Sequence, residues 1–201
     1  MKNLNLLLET NLNMKFKCKS TNNNDDVYIV STTSTLEPEA SKKDLKVIQK
    51  LLNGFELEFI NFYKKYNGGL FHHDENIQAL GLALFPVNMW KKSTKEMKSW
   101  YDMLEEDELE EMGIDWLDDC VVFAEVPFSG NYFAIVLKGK LAGKIIYSDH
   151  DNIQSNYYAT SFNHFLEKYL SDPIKEIAFF GSYARYDDGE TDKQWIPIKT
   201  V

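Results

Sequence analysis

Apolar and polar residues alternate near the start of the chain, as they do in a β-strand with one buried face. Apolar residues interleave with lysines over residues 14–18, and an apolar stretch follows at 27–30 after a polar one. This spacing predicts a β-hairpin. The Ser/Thr run at 31–35 is typical of a linker. We therefore expect an N-terminal hairpin arm and linker over residues 1–35, and a domain with a C-terminal extension over residues 36–201.

Further along, apolar residues recur at the three- and four-residue spacing of amphipathic helices. Ser41 with Asp44, and Ser93 with Glu96, match the capping box that begins many helices. A helix rich in Phe and Tyr lies between these two. We expect it to end at Gly68-Gly69, because glycine readily adopts the left-handed conformation that closes a helix.

The second half of the chain predicts strands followed by a helix. Ser161 begins an amphipathic pattern, and we expect Phe162 and Phe165 to anchor that helix to a sheet. Short apolar runs with turn residues between them predict strands. These runs are residues 80–84, 121–124, 132–137 and 144–147. Helices first, strands in the middle and a helix after them indicate an α+β fold.

The most acidic part of the chain follows the third predicted helix. Six of the seven residues from Glu105 to Glu111 are acidic, and the apolar stripe fails after Leu104. We expect a kink or a new helical turn here, closed by Gly113. The run is either a solvated helix face or an interaction surface, because so many carboxylates cannot all face a core.

If the acidic run is an interaction surface, it is the candidate binding site. Trp116 lies beside the run, where Asp115, Asp118 and Asp119 extend it, and Trp is frequent at binding hot spots. Two adjacent tyrosines are the next candidates. The predicted partner-binding residues are Glu105, Glu106, Asp107, Glu108, Glu110, Glu111, Trp116, Tyr157 and Tyr158.

Two clusters of His and acidic residues are the candidates for metal or acid–base chemistry. Asp149-His150-Asp151 follows a predicted strand, from which a loop can aim carboxylates and an imidazole at one point. Asp in such turns more often binds its own backbone. The cluster His72-His73-Asp74-Glu75 completes a composite metal site only if the fold brings the two together. Because no closed set of four ligands is visible, we expect no metal requirement for folding. The chain has no Gly-x-Gly-x-x-Gly motif and no Gly-x-Ser-x-Gly motif, and we expect no catalytic residue and no cofactor.

One segment resembles a phosphate-binding loop. Gly139 and Gly143 precede Lys144, but three residues separate the glycines instead of four, and Ile145 stands where Ser or Thr belongs. The position between two predicted strands favours a hairpin turn.

The charge of the chain limits its partners. Its 201 residues include 22 Lys plus Arg and 31 Asp plus Glu, a formal net charge of −9. Such a chain repels nucleic acid phosphates and anionic membranes, so we expect no direct nucleic acid or membrane binding, and a protein partner with a basic surface. Two cysteines and no signal-like apolar segment are typical of a cytoplasmic protein.

Four motifs occur from the second predicted helix to the last: FELEFINFYKKYNGG at 55–69, VVFAE at 121–125 with GNYF at 130–133, GKIIYSDHD at 143–151 and ATSFNHF at 159–165. In this order they resemble the SUKH superfamily, which includes a fungal regulator of cell-wall synthesis and many bacterial proteins. The resemblance covers roughly residues 41 to 171. The chain departs from the family pattern at Asn53-Gly54, where a proline is usual, and at Asn163 and His164, where acids are usual.

The resemblance implies helices packed against a central, largely antiparallel sheet, with the N-terminal hairpin as an extension. It also implies an immunity function, because bacterial members bind and neutralise toxins, often nucleases or nucleic-acid deaminases. The family supplies no catalytic residues. The matched residues have structural roles by this resemblance, and they are Gly68, Gly69, Gly130, Asn131, Asp149 and Asp151.

Three functions stay open at this point. The leading hypothesis is a non-enzymatic binding protein that neutralises a cognate toxin by occluding it, because the resemblance, the net charge and the clustered acids agree. The second is an intracellular scaffold or regulator of an endogenous partner. The third is a metal-dependent enzyme built on the two His clusters. A neighbouring toxin gene distinguishes the first from the second, and metal analysis of the purified protein distinguishes the third.

Overall fold

A computed structural model of the protein describes residues 4–15, 17–21, 27–74, 81–127, 129–150, 155–180, 183–185 and 192–198. Within these ranges, ten strands form one sheet. They are β1 (Lys17–Thr21), β2 (Val27–Leu36), β3 (Gly69–Asp74), β4 (Leu82–Leu84), β5 (Cys120–Val126), β6 (Asn131–Val136), β7 (Ile145–Ser148), β8 (Ser155–Ala159), β9 (Tyr183–Arg185) and β10 (Asp192–Ile198). Their order is β8-β7-β6-β5-β4-β3-β2-β1-β10-β9, and every neighbouring pair is antiparallel.

Seven helices accompany this sheet in the described ranges. They are α1 (Leu4–Asn13), α2 (Lys42–Leu51), α3 (Glu56–Tyr63), α4 (Val87–Ser99), α5 (Glu106–Glu111), α6 (Phe162–Ser171) and α7 (Pro173–Phe179). A short 3-10 turn at Leu117–Asp119 leads into β5. The predicted α+β class with a largely antiparallel sheet is confirmed. None of these helices has the length and apolar character that a bilayer crossing requires.

The N-terminal hairpin is present, since β1 and β2 pair from Lys17 with Ser31 to Thr21 with Val27. The linker expected at residues 31–35 is wrong. That run lies within β2, which continues to Leu36 and pairs with β3, as suits the high strand propensity of threonine. The polar stretch at residues 22–26 lies outside the described residues. Division of the chain at residue 35 stays a prediction.

Both ends of the chain join structures that the sequence pattern did not indicate. The first is α1, which buries Leu7 and Leu8. Its Asn11 side-chain amide donates a hydrogen bond of 2.9 Å to the backbone oxygen of Leu170 in α6. The second is β10, whose residues Gln194 to Ile198 pair with all five residues of β1. The C-terminal extension therefore extends the same sheet that holds the N-terminal hairpin.

Local capping determines where α2 and α4 begin. At α2 the predicted capping box is present: Asp44 N donates to Ser41 Oγ at 3.1 Å, and Ser41 N donates to Asp44 Oδ2 at 3.3 Å. The second predicted capping box is wrong. The helix α4 begins at Val87, after Pro86, so Ser93 is a buried residue in its middle. Pro86 is the N-cap with an extended backbone, and the amide of Val87, the first helical residue, donates a hydrogen bond of 3.1 Å to Asn67 Oδ1.

The predicted closure of α3 by the glycine pair is also wrong, since α3 ends at Tyr63. Gly68 instead makes the turn into β3 with a φ of +99°. A Cβ atom there would lie 2.4 Å from the backbone oxygen of Leu84, which is too close for any side chain. Only glycine fits this position without a shift of the backbone.

The hydrophobic core lies between the sheet and α6. Phe162 and Phe165 are fully buried, as predicted. The ring of Phe162 stacks on Phe59 of α3 with 4.0 Å between centroids, and Phe165 meets Phe123 of β5 edge-on at 5.1 Å. Ser161 caps the helix, because its side chain accepts a hydrogen bond from the His164 amide. These contacts fix α6 on the sheet.

The segment that resembles a phosphate loop is a hairpin turn, as expected. It connects β6 to β7, and the Val136 and Gly143 amides close it with hydrogen bonds of 3.0 Å to Lys144 O and 2.8 Å to Val136 O. No helix follows to supply the amide cradle that phosphate binding needs.

Candidate partner-binding surface

The acidic run forms a separate short helix that is anchored by apolar residues on either side. α5 begins after α4 has ended, and Gly113 with a φ of +70° follows it, as expected for a new turn. Ile114 and Trp116 are buried, while Leu104 and Leu109 are partly buried against the core. Because these apolar side chains hold the segment down, its carboxylates face away from the core.

We define the acidic surface by the exposed acidic side chains of this segment. Glu106 and Glu110 lie in α5, but their side chains are outside the described part of the structure. Within that part, one ion pair involves the set, between Asp118 Oδ1 and Lys98 Nζ at 3.8 Å. The exposed acids are Asp102, Glu105, Asp107, Glu108, Glu111, Asp115 and Asp118. Most of this negative charge therefore has no ion pair within the described part of the chain.

Two methionines add apolar area to the acidic surface. Met103 is 82% exposed and Met112 is 42% exposed. Methionine is flexible and polarizable, so it adapts to irregular partner surfaces. Neither methionine was predicted to lie on this surface. Met112 falls outside the apolar register of the preceding helix, and a pattern analysis could have used that signal.

The aromatic residues of the predicted site divide into accessible and buried ones. Trp116 is only 2% exposed and Tyr158 only 4%. The Tyr158 hydroxyl donates a hydrogen bond to Glu176 Oε2 at 2.5 Å in the interior. Their assignment as partner contacts is therefore wrong for this conformation, because neither ring can reach a partner. Tyr157 is 51% exposed on β8, an edge strand of the sheet.

Strand order also separates Tyr157 from the acidic surface. β6 and β7 lie between β8 and β5, the strand that follows the acidic segment. Neighbouring strands are spaced by about 4.8 Å, so β8 and β5 are about 14 Å apart. The structure therefore supports the acidic run as one surface and places Tyr157 on a different part of the sheet.

The two His clusters do not form a composite site. β4, β5 and β6 lie between β3, which carries His72, and β7, which precedes His150, so the two strands are about 19 Å apart. Burial lowers the pKa of His72 to about 3, with a smaller effect from His73. Glu75 and Asp151 are outside the described residues. Among those described, no group of three or more His, Cys, Asp or Glu is arranged to hold a metal ion.

The family-matched Asn131 has a clear structural role. Its side-chain oxygen accepts a hydrogen bond of 3.1 Å from the His150 amide, and its Nδ2 donates to the Tyr147 hydroxyl at 2.6 Å. That hydroxyl in turn donates to the Phe180 backbone oxygen at 3.3 Å. Asn131 thus ties the end of β7 to the end of α7, which agrees with the structural role that the resemblance implied.

A second acidic feature was not predicted from the sequence. Glu37, Glu39 and Glu125 line a cleft of about 520 Å³. Burial raises the pKa of Glu125 to about 7, and the negative charge of Glu96 raises it further. The available signal was the position of Glu125 at the end of an apolar strand, where an acidic side chain is unusual.

Comparison with known proteins gives the family. No curated protein matches the chain. Residues 39–168, nearly two thirds of the chain, match the family described as SMI1 / KNR4 family (SUKH-1). Proteins of this family are in general not enzymes. The match contains the capped α2, the aromatic α3, the acidic segment, β5 to β8 and most of α6, and the chain therefore belongs to the SMI1/KNR4 family (SUKH-1).

Proposed function

We propose that this protein is a cytoplasmic immunity protein, which neutralises a toxin by covering a basic surface of that toxin. The single observation that carries the proposal is the acidic surface, where seven exposed carboxylates face outward around α5. Family membership supports it, because the SUKH-1 family is consistent with an immunity or a regulatory role.

The acidic surface suits a toxin that acts on nucleic acid. Such a toxin presents lysine and arginine to phosphates, and an inhibitor with outward carboxylates can occupy the same groups. The unpaired charge speeds the encounter by long-range attraction, and the exposed methionines Met103 and Met112 supply apolar contact once the surfaces meet. Inhibition by this route is occlusion and needs no catalytic residue in the inhibitor.

The second candidate function is a scaffold or regulator of an endogenous partner. Family membership favours it equally, because the family is consistent with both roles. The two candidates differ in the partner and not in the surface, so the genetic context of the partner distinguishes them.

Growth protection tests the proposal directly. A toxin domain encoded beside this gene is expressed from an inducible promoter, with and without this protein. We expect the toxin alone to arrest growth and co-expression to restore it. The variant Asp107→Lys/Glu111→Lys should protect less well, because it reverses two exposed charges of the acidic surface.

A matched control reverses the same number of charges elsewhere. Glu9 lies on α1 and Glu167 on α6, both away from the acidic segment in the fold. The variant Glu9→Lys/Glu167→Lys should protect as well as the unchanged protein. Equal protection by both variants would place the interface elsewhere. Neighbouring genes that encode no toxin, together with a complex with an endogenous protein, would favour the regulator.

A further inference from the structure

Positive charge in this acidic protein is concentrated on two neighbouring helices. α2 and α4 together contain eight lysines and two acidic residues, a formal net charge of +6, whereas the whole chain has −9. The lysines are Lys42, Lys43, Lys46, Lys50, Lys91, Lys92, Lys95 and Lys98. All except Lys98 are exposed. The rest of the chain therefore carries −15, and these two helices form a basic face of opposite sign.

A groove runs between the two helices. Its volume is about 690 Å³, and apolar residues of α2 and of the start of β5 form much of its floor, including Val47, Leu51 and Val121. Leu51 is 37% exposed and Val47 is partly buried, whereas Val121 is only 6% exposed. An exposed apolar floor of this kind gains free energy when a partner covers it.

Ammonium groups surround this apolar floor. Lys50 lies on the α2 side, and Lys91, Lys95 and Lys98 lie on the α4 side. Lys98 donates a hydrogen bond of 2.9 Å to the backbone oxygen of Asp118. In the described part of the chain, the other three make no ion pair. The groove therefore offers free positive charge on both sides of an apolar strip.

The groove has no feature of a catalytic pocket. The hydroxyls of Thr94 and Ser99 in its lining donate hydrogen bonds to backbone oxygens of their own helix. Burial raises the pKa of the Cys120 thiol to about 12, so the thiol is protonated at neutral pH. A protonated, buried thiol is a poor nucleophile. The groove is suited to binding.

We propose that this groove is a second interaction surface, which binds an acidic amphipathic helix of a partner protein. A groove between two helices receives the apolar face of a third helix, and the flanking charges of that helix then meet the rims. The part of α4 that lines the groove, from Lys91 to Ser99, is about 12 Å long, which matches about two helical turns. One acid of the acidic surface, Asp102, also lines the groove, but this inference rests on the lysines and the apolar floor and does not depend on the proposed immunity function.

Other occupants fit the groove less well. No aromatic side chain lines it, so nucleic acid bases have nothing to stack on. The most acidic helix that a second copy of this chain offers is α5. That helix has six residues, and its Leu109 already packs against its own core. It therefore has no free apolar face to place on the floor of the groove.

Fluorescence anisotropy with a synthetic peptide tests the proposal. The probe is a labelled helical peptide of about 14 residues, with Leu at i, i+3, i+4 and i+7 and Glu at most other positions. A scrambled peptide has the same composition without the apolar face. At about 0.15 M salt, which screens the long-range repulsion from the rest of the chain, we expect the full-length protein to bind the probe about tenfold more tightly than the scrambled peptide.

Charge reversal of lysines at the rim of the groove is the second part of the experiment. The variant Lys91→Glu/Lys95→Glu should weaken binding of the probe about tenfold or more. Lys140 and Lys175 are exposed lysines outside both helices, and the control variant Lys140→Glu/Lys175→Glu should change affinity less than about threefold. Circular dichroism and thermal melting confirm that each variant is folded. Leu51→Asn removes apolar contact without a change of charge and should also weaken binding.

Four results would overturn the proposal. The first is equal affinity for the probe and the scrambled peptide, and the second is unchanged affinity of the rim variant. The third is displacement of the probe by a single-stranded oligonucleotide or by phosphatidylglycerol vesicles at lower concentration than by unlabelled probe, which would assign the face to another class of partner. The fourth is self-association in light scattering that the rim variant abolishes, which would assign the groove to a second copy.

Discussion

The aromatic core around α6 and the acidic surface around α5 are held in place by different forces. In the core, Phe162 touches Phe59 and Phe123 with ring centroids 4.0 and 5.5 Å apart, and all three rings are buried. On the acidic surface, most carboxylates contact solvent, and apolar neighbours hold the backbone. Folding therefore depends on the identity of the core residues but depends little on the acids. The acids are free to be selected for a partner.

Truncation of the core should give the largest effect on stability. Phe162→Ala removes a fully buried ring and leaves a cavity, so we expect the free energy of unfolding to fall by about 3–5 kcal/mol. Urea denaturation followed by circular dichroism measures this change. Tyr157→Ala is the control, because that ring is half exposed, and it should cost clearly less. Similar losses in the two variants would contradict the packing described for α6.

A partly buried acid should behave differently from the acids of the acidic surface. The pKa of Glu125 rises from 4.5 to about 7 through burial, and secondarily through Glu96. Between these two values the unfolded chain has lost the proton that Glu125 keeps in the folded chain, so the contribution of Glu125 to stability falls as pH rises from about 4.5 to about 7. The lowered pKa of His72 contributes with the opposite sign up to about pH 6.5. Glu125→Gln should remove the contribution of Glu125 alone and stabilise the protein above pH 7 by about 1–3 kcal/mol.

The control for Glu125 is an acid of the acidic surface. Glu108 is exposed, and Glu108→Gln should change the free energy of unfolding at pH 8 by about 0.5 kcal/mol or less. Free energies of unfolding measured between pH 4.5 and 7 test the effect of Glu125→Gln. If Glu125→Gln keeps the slope of the unchanged protein, the carboxyl of Glu125 does not titrate as described.

Loss of the helix cap on α2 should give a smaller effect. Ser41 Oγ accepts a hydrogen bond from the Asp44 amide, and Ser41→Ala leaves that amide without this partner. We expect a loss of about 1 kcal/mol in the free energy of unfolding, whereas Ser41→Gly should cost only a few tenths. Thermal melting of the three proteins measures the order, and equal stability of the Ala variant and the unchanged protein would show that the cap contributes nothing.

Charge reversal on the acidic surface should have the smallest effect on folding. The variant Asp107→Lys/Glu111→Lys changes two exposed side chains, and such changes usually alter stability by about 0.5 kcal/mol or less. It also relieves repulsion between like charges four residues apart. Denaturation midpoints should therefore match those of the unchanged protein. A large loss of stability would mean that these acids hold the fold.

The parts of the fold that were predictable have local causes. The Ser41 cap, the apolar stripe after Ser161 and the strands β5, β6 and β7 each follow from residues that lie close together in sequence. The start of α4 was not predicted because Ser93 and Glu96 imitate a capping box inside the helix, while the true start uses Pro86. The pairing of β10 with β1 joins the two ends of the chain, and no local pattern indicates such a pairing.

In the candidate site, too, some features follow from the local sequence and others depend on tertiary contacts. That the acidic run faces outward was predictable, because six acids in seven residues cannot all be buried. The burial of Trp116 and Tyr158 was not predictable, because it depends on which residues from distant parts of the sequence cover these two rings. The basic groove had a local signal as well, in lysines spaced four apart such as Lys46 with Lys50 and Lys91 with Lys95. The adjacency of the two helices is tertiary and could not be predicted from that signal.

The most direct test of the central claim is the rate at which this protein associates with its toxin. Stopped-flow measurements over a salt series give the association rate constant and its dependence on ionic strength. For the unchanged protein and for Glu9→Lys/Glu167→Lys we expect fast association that slows steeply with salt. For Asp107→Lys/Glu111→Lys we expect slower association at low salt and a shallower dependence, with the rates of all three proteins converging at high salt. An unchanged rate and an unchanged salt dependence in that variant would contradict the account, because the acidic surface would then have no part in binding.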